Sequence, residues 1–234
     1  MNIQQQLLRE VRRIAAQLRR TLLQLKFGNR WEETADAFGR RQYPSYQDYL
    51  AHQRNKLDAF RGRSIHRHDL KFFEALSARL AAAGIPLQRR GVLCLAARQG
   101  SEVRAFIAQG AFAVGIDLNP GRDNRLVLPG DFHELQFGTA TVDVVYTNSL
   151  DHAFDLDRLL AEVRRVLAPD GLFIAEVGRG QAEDSGRGFY ESFSWANVDE
   201  LVRRLEMQGF CLEGRTAFEV PWSGEQLRLR PAGL

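Results

Sequence analysis

From residue 91 onward, short apolar runs alternate with segments whose apolar positions recur every three or four residues. Residues 92–97, 111–117, 125–128, 142–147 and 172–177 read as strands buried on both faces, because each run is brief and almost wholly apolar. Between them, residues 101–109, 156–167 and 195–208 carry helical spacing. Ser101 serves as a candidate N-cap, and Gly209 and the Pro169-Asp170-Gly171 turn as stops. Two last strands, 210–220 and 226–230, are joined through a turn at 221–224. Strand–helix alternation of this kind predicts a Rossmann-like α/β sandwich, its mostly parallel seven-stranded sheet carrying one antiparallel strand.

The first 86 residues read differently. Leu7, Val11, Ile14, Leu18, Leu22 and Leu25 fall on one face of a helix over residues 3–26, which Gly28 and Asn29 stop. Further helices are expected over 46–60 and over 68–83, the latter ended by Gly84 and Pro86. Three parts follow: a basic amphipathic helix (1–30), a helical cap or lid (31–86) and the α/β domain (87–234).

Charge refines this picture. The 32 basic and 29 acidic side chains leave a net +3, yet residues 1–30 alone hold seven basic groups against Glu10. The remainder therefore carries 25 basic and 28 acidic groups, a net of −3, so the basic character belongs to the N-terminal segment and does not mark the domain as a nucleic-acid binder. The segment's apolar face fits packing on the domain, pairing with a second copy or docking on an anionic membrane surface. No run approaches the roughly 18 apolar residues of a membrane span. Two cysteines, Cys94 and Cys211, make no disulfide framework, and a cytoplasmic location is expected. His66 and His68 lack partners at ligand spacing, so no metal site is expected.

Candidate chemistry gathers where the first strand of the alternation ends. In Gly91-Val-Leu-Cys-Leu-Ala-Ala-Arg-Gln-Gly100 a strand enters a tight loop, and the helix after it presents backbone N–H groups to a ligand. Asp117, seventeen residues past Gly100, ends the second strand, where a carboxylate accepts hydrogen bonds from ribose hydroxyls. These residues, with Gly130-Asp131-Phe132, Asp143-Val-Val-Tyr-Thr-Asn148 and the run from Leu159 to Gly171, resemble the class I S-adenosylmethionine-dependent methyltransferases of the type-11 group. The similarity runs from about Gly91 to Phe210.

The resemblance implies a methyltransferase that binds S-adenosylmethionine through Ala96, Arg98, Gly100, Asp117, Leu118, Asp131, Phe132 and Asn148. His152, just past the fourth strand, is a candidate base, and the neighbouring Asp151 also fits a helix start. Tyr46, Tyr49, His52 and Lys56 are candidate lid residues, and the acceptor is a small molecule or a saccharide. The sequence departs from the family at Cys94, where an acidic residue is usual, and at Ala96 and Arg98, where glycines are usual. Alanine and arginine resist positive φ, so the loop is expected to leave the glycine path. Arg98 then either partners the methionine carboxylate or fills the pocket, and a catalytically silent binding protein is the alternative reading. A nicotinamide-dependent oxidoreductase is disfavoured, because the dinucleotide G-x-G-x-x-G turn is missing between Leu95 and Glu102.

Overall fold

A computed structural model describes residues 30–34, 38–59, 63–182 and 187–233, together with 8, 10, 11, 13–15, 17, 18, 21, 22, 25 and 26. In chain order the elements are β1 (Trp31–Glu33), β2 (Phe38–Arg41), α1 (Tyr46–Ala59), α2 (Arg63–Ala82), β3 (Gly91–Leu95), α3 (Ser101–Ala108), β4 (Phe112–Asp117) and β5 (Val127–Pro129). There follow β6 (Val142–Thr147), a 3₁₀ turn (Leu150–His152), α4 (Leu156–Val166), β7 (Leu167–Gly178), β8 (Phe193–Trp195), α5 (Val198–Met207), β9 (Phe210–Phe218) and β10 (Gly224–Pro231).

Seven strands form the main sheet in the order β5-β4-β3-β6-β7-β10-β9, and β10 alone runs antiparallel to its neighbours. The two-residue period of a strand sends alternate side chains to opposite faces. Val92, Cys94, Val144, Tyr146 and Ile174 accordingly pack with Phe72, Leu76 and Leu80 of α2 and Val103 and Phe106 of α3. Leu93, Leu95, Val145, Phe173 and Ala175 face the other way, onto Leu159, Leu160 and Val163 of α4 and Leu201 and Leu205 of α5. This is the three-layer sandwich that the apolar pattern anticipates.

Several boundaries differ, each for a local reason. The Pro169-Asp170-Gly171 segment does not turn; it lies within β7, and pairing with β6 slips from Val142↔Leu167 to Val144↔Leu172. Ser101 is the first residue of α3 rather than its cap, which is Gly100 in a left-handed conformation at φ 85°. Asp151 belongs to the 3₁₀ turn, and Asp155 caps α4 by accepting the Arg158 N–H. Trp195 lies outside α5, because Asn197 caps that helix through the Glu200 N–H.

Trp195 sits instead in a second, three-stranded sheet, β1-β2-β8, with Phe38 paired to Trp195. The segment read as a helical cap therefore opens with a hairpin that crosses to the far half of the chain. Buried Arg41 fastens the joint, donating to the backbone carbonyls of Glu191 (2.7 Å), Gly188 (3.1 Å) and Phe189 (3.0 Å). Among the N-terminal residues, the helical Leu8, Val11, Ile14, Leu18, Leu22 and Leu25 are all exposed, from 54% at Ile14 to 77% at Leu25. The expected Leu7 lies outside the described residues. No described helix is long and apolar enough to cross a membrane.

Candidate functional site

The loop after β3 keeps the glycine path without the glycines. Ala96, Arg98 and Gly100 all adopt left-handed backbone, at φ 53°, 48° and 85°. This corrects the expectation that Ala96 and Arg98 would deflect the chain. Surrounding bonds enforce the path: the Ala97 N–H meets the Ile116 carbonyl (2.9 Å), the Arg98 N–H meets Asp117 Oδ2 (3.0 Å), and the Gly100 N–H meets the Ala97 carbonyl (2.6 Å). Gly115 on β4 makes room, since a Cβ there would lie 2.6 Å from that of Ala97.

A left-handed non-glycine residue costs roughly 1–2 kcal/mol, and glycine's freedom in the unfolded chain offsets about 0.4–1 of any relief. Ala96→Gly and Arg98→Gly are therefore each expected to raise stability by up to about 1 kcal/mol in urea unfolding. A loss of stability in both would show that side-chain packing, not strain, governs the loop.

Beyond the ends of β3 and β4 lies a cavity lined by Ala96, Arg98, Asp117, Leu118, Gly130, Phe132 and His152, with Tyr49, Gln53 and Lys56 reaching in from α1. Asp117 uses one oxygen for the Arg98 N–H and the other for the Asn119 N–H (2.8 Å), which fixes its carboxylate at the cavity wall. Tyr49 is fully buried, and its hydroxyl meets no hydrogen-bond partner among the described residues. An orphaned buried hydroxyl costs about 1–3 kcal/mol, a deficit that a polar ligand would remove.

The enclosed space is only about 60 Å³, below the roughly 300–1,000 Å³ of small-molecule sites. A nucleoside therefore fits only if the lining of this space shifts. Tyr46 ties α1 to the segment after β5 through its hydroxyl bond to Asp131. Asp131 also accepts from the His133 N–H and Nδ1–H (2.9 Å each), and these bonds hold its carboxyl below the usual range despite burial. Asp131 lines neither cavity and is engaged by Tyr46 and His133; Phe132 beside it does reach the wall.

His152 sits between Tyr190 and Lys56. Its Nδ1 donates to the Tyr190 carbonyl (2.7 Å), which leaves Nε2 to accept from Lys56 Nζ (2.5 Å). Burial, reinforced by Lys56, holds the imidazole pKa well below its ordinary value. Burial and then Arg98 push Lys56 down to about 8, against the pull of Asp151 and Asp117. His52, buried in α1, is held down to about 3 by burial and then by Arg41, and its Nδ1 pairs with the Tyr43 hydroxyl at 2.9 Å.

A second cavity of about 280 Å³ opens beyond β6 and β7, lined by Asn148, Asp151, Arg179, Glu191, Trp195 and Trp222 among others. Asn148 therefore belongs to this space rather than to the first. Residues 148–152 form the partition, with Ser149 and His152 facing one side and Asn148 and Asp151 the other. Sequence reasoning passed over Gln53, Asn119 and Ser149 in the first cavity, and Arg179, Glu191, Trp195 and Trp222 in the second. These are scattered residues without a shared motif, and no sequence signal joins them.

The sheet order and the loop with its paired carboxylate define the class I methyltransferase fold. Residues 93–175, about a third of the chain, match the methyltransferase domain family. No curated protein matches the sequence.

Among solved structures, 1,6-didemethyltoxoflavin-N1-methyltransferase of Burkholderia thailandensis, with bound 1,6-didemethyltoxoflavin and S-adenosylhomocysteine, is 18% identical with a TM-score of 0.65, over 87% of this chain and 99% of that one. An S-adenosylmethionine-dependent methyltransferase of Aquifex aeolicus is 17% identical with a TM-score of 0.57, over 76% and 98% of the two chains. Another from Mesorhizobium loti is 16% identical with a TM-score of 0.54, over 68% and 99%. At such identities the likeness is one of fold.

Proposed function

We propose that the protein transfers the methyl group of S-adenosylmethionine to a small-molecule or saccharide acceptor, with the donor in the first cavity and the acceptor in the second. The observation that carries this reading is the left-handed loop 96–100 set against Asp117. A degenerate motif that had lost its purpose would be free to relax, yet here it holds the strained path and a fixed carboxylate. The donor supplies a methyl group on a sulfonium sulfur.

The chain's own work is alignment and exclusion of water, and alignment alone is worth on the order of 7 kcal/mol of barrier in favourable cases. Asp117 receives the ribose hydroxyls, Leu118 and Phe132 flank the base, and Tyr49 gains the partner it lacks. Arg98, lining the same wall, is available to the methionine carboxylate as a charge-assisted donor. His152, its two nitrogens occupied and its basicity low, orients Lys56 and the partition rather than removing protons. Calorimetric titration with S-adenosylhomocysteine tests the reading: saturable one-to-one binding supports it, and absence of binding, with α1 intact, overturns it.

The N-terminal segment adds location. Six exposed apolar side chains on a segment of local charge +6 suit an anionic membrane surface. Lys26 ties the segment to α1 through Asp48 at 2.5 Å. Each basic residue adds roughly 1 kcal/mol near such a surface, and the attraction fades with salt. The full chain is expected to co-sediment with phosphatidylglycerol-containing vesicles at low salt, and a chain lacking residues 1–26 to remain in solution with its melting transition intact. No vesicle binding, together with a dimer lost on deletion, would reassign the segment to self-association.

A further inference from the structure

The lining of the second cavity holds two carboxylates against one arginine, with Lys56 and Arg41 acting on them from outside that lining. Asp151 and Glu191 both face it, and both are hemmed in by protein. Burial raises Asp151 to about 6, and burial together with Asp151 raises Glu191 to about 6. The Asp151 side chain is nevertheless 29% accessible, since its open edge gives onto the cavity. Arg179 is the one cation in this lining among the described residues, and it is already matched by Glu219 at 2.6 Å.

Aromatic surface meets these carboxylates. Phe193 and Trp195 come from β8, with Trp195 Nε1 donating to the Gly178 carbonyl (3.1 Å), and Trp222 packs edge-on to Phe218 at 4.7 Å. Carboxylates and indoles lining one half-open space form an environment suited to a cation, because both attract positive charge. A neutral sugar would leave the imbalance in place.

We infer that this cavity takes a small molecule bearing a basic nitrogen as the methyl acceptor, with Asp151 and Glu191 binding its ammonium group and Asp151 accepting its proton. The inference rests on the methyl-transfer reading above. Asp151 qualifies over Glu191 because it stands in the partition, one residue from His152, which lines the donor cavity. Lys56 and His152 back it from that side, with His152 Nε2 at 3.6 Å from Asp151 Oδ2.

In the step, Asp151 removes one proton from the ammonium, and the freed lone pair forms the new N–C bond. The electron pair of the broken C–S bond goes to sulfur, which becomes a neutral thioether. The product nitrogen carries the methyl group and a positive charge, and the proton on Asp151 is released to solvent.

The test uses the full chain with Trp31→Phe, so that Trp195 and Trp222 report binding by fluorescence. The probes are phenethylamine, 2-phenylethanol, 3-phenylpropionate and methyl glucoside, with S-adenosylhomocysteine affinity measured on the same samples. Phenethylamine is expected to bind at least tenfold more tightly than the alcohol, with the anion weakest.

Its affinity should rise as pH increases from 5 to 7.5, because both carboxylates ionise in that interval. Lys56 on the cap side stays charged through most of it and His152 and His52 stay neutral, while Arg41 beyond Glu191 and the Arg179–Glu219 pair at the rim are the other charged groups facing the site. Asp151→Asn and Glu191→Gln should each erase most of the preference while sparing S-adenosylhomocysteine binding. Equal binding of amine and alcohol, or tighter binding of the glucoside, by a wild-type protein that binds S-adenosylhomocysteine would overturn the inference and leave methyl transfer standing. Failure to bind S-adenosylhomocysteine would instead strike the methyl-transfer reading itself.

Discussion

Asp117→Ala is expected to lower affinity for S-adenosylhomocysteine by about a hundredfold or more, in a protein that still unfolds cooperatively. In the proposed complex the carboxylate would offer its outer lone pairs to two ribose hydroxyls, and a hydrogen bond to a charged acceptor is worth about 1.5–3 kcal/mol. Two such bonds amount to at least about 3 kcal/mol, or two decades in Kd. The same substitution frees the Arg98 and Asn119 N–H groups that Asp117 now holds, so the loop loses its anchor as well. Asp117→Asn separates the two effects. One amide oxygen still accepts a loop N–H, and an intermediate loss is expected. Calorimetry on both variants checks the order, and unchanged affinity in Asp117→Ala would remove this residue from the site.

The largest loss of stability is expected at Arg79→Met, a residue that lines neither cavity. Arg79 on α2 forks onto Glu176 of β7 at 2.7 and 2.8 Å, and Glu176 is otherwise sealed in by the Tyr146 hydroxyl (2.9 Å) and Gln226 Nε2 (3.0 Å). The Glu176 side chain is wholly buried. Removing one partner of a buried ion pair costs about 3–5 kcal/mol, because the other charge stays behind unpaired. The arginine also stacks on Phe218 at 4.1 Å and donates to the Val220 carbonyl at 2.6 Å, contacts that methionine recovers only as apolar packing.

Acid should lessen the damage. The orphaned carboxylate can then take up a proton in the folded state, so the variant's stability relative to wild type rises as pH falls. Denaturant unfolding at pH 5 and pH 8 measures this, and a loss under about 1 kcal/mol at pH 8 would mean that the cluster relaxes to admit water.

The central strands were legible from sequence because they are largely buried and mostly apolar, as at 142–147, where Asp143 and Thr147 are the polar residues and whose bounds match β6. The small β1-β2-β8 sheet was not. Its strands span three or four residues, and the helical spacing read over 195–208 takes in Trp195, the last residue of β8. Pairing between Phe38 and Trp195 is a fact of tertiary structure that no local period encodes.

At the site, spacing placed Asp117 at a strand end and the family resemblance pointed to Arg98 and Phe132, and all three line the first cavity. Asp131 shows the limit of that reasoning: its position was right, but which way its carboxylate turns depended on Tyr46, 85 residues away. The loop itself was misjudged for a related reason. Propensity argues against left-handed alanine and arginine, but three hydrogen bonds and the bare Cα of Gly115 outweigh it.

The β2–β8 joint also bears on how the protein is made. Phe38 emerges from the ribosome with its partner Trp195 still to be synthesised, and at about 5–20 residues per second that interval is on the order of 8–30 s. Strands β3 and β4 beside the first cavity are close in sequence and can pair early, whereas the wall of the second cavity waits on a long-range closure. During that wait the hairpin's edge and the ring of Phe38 stand open to water and to other chains. Variants that weaken the Arg41 clasp should therefore show their first defect in the yield of soluble protein during synthesis, before any change in the finished molecule's chemistry.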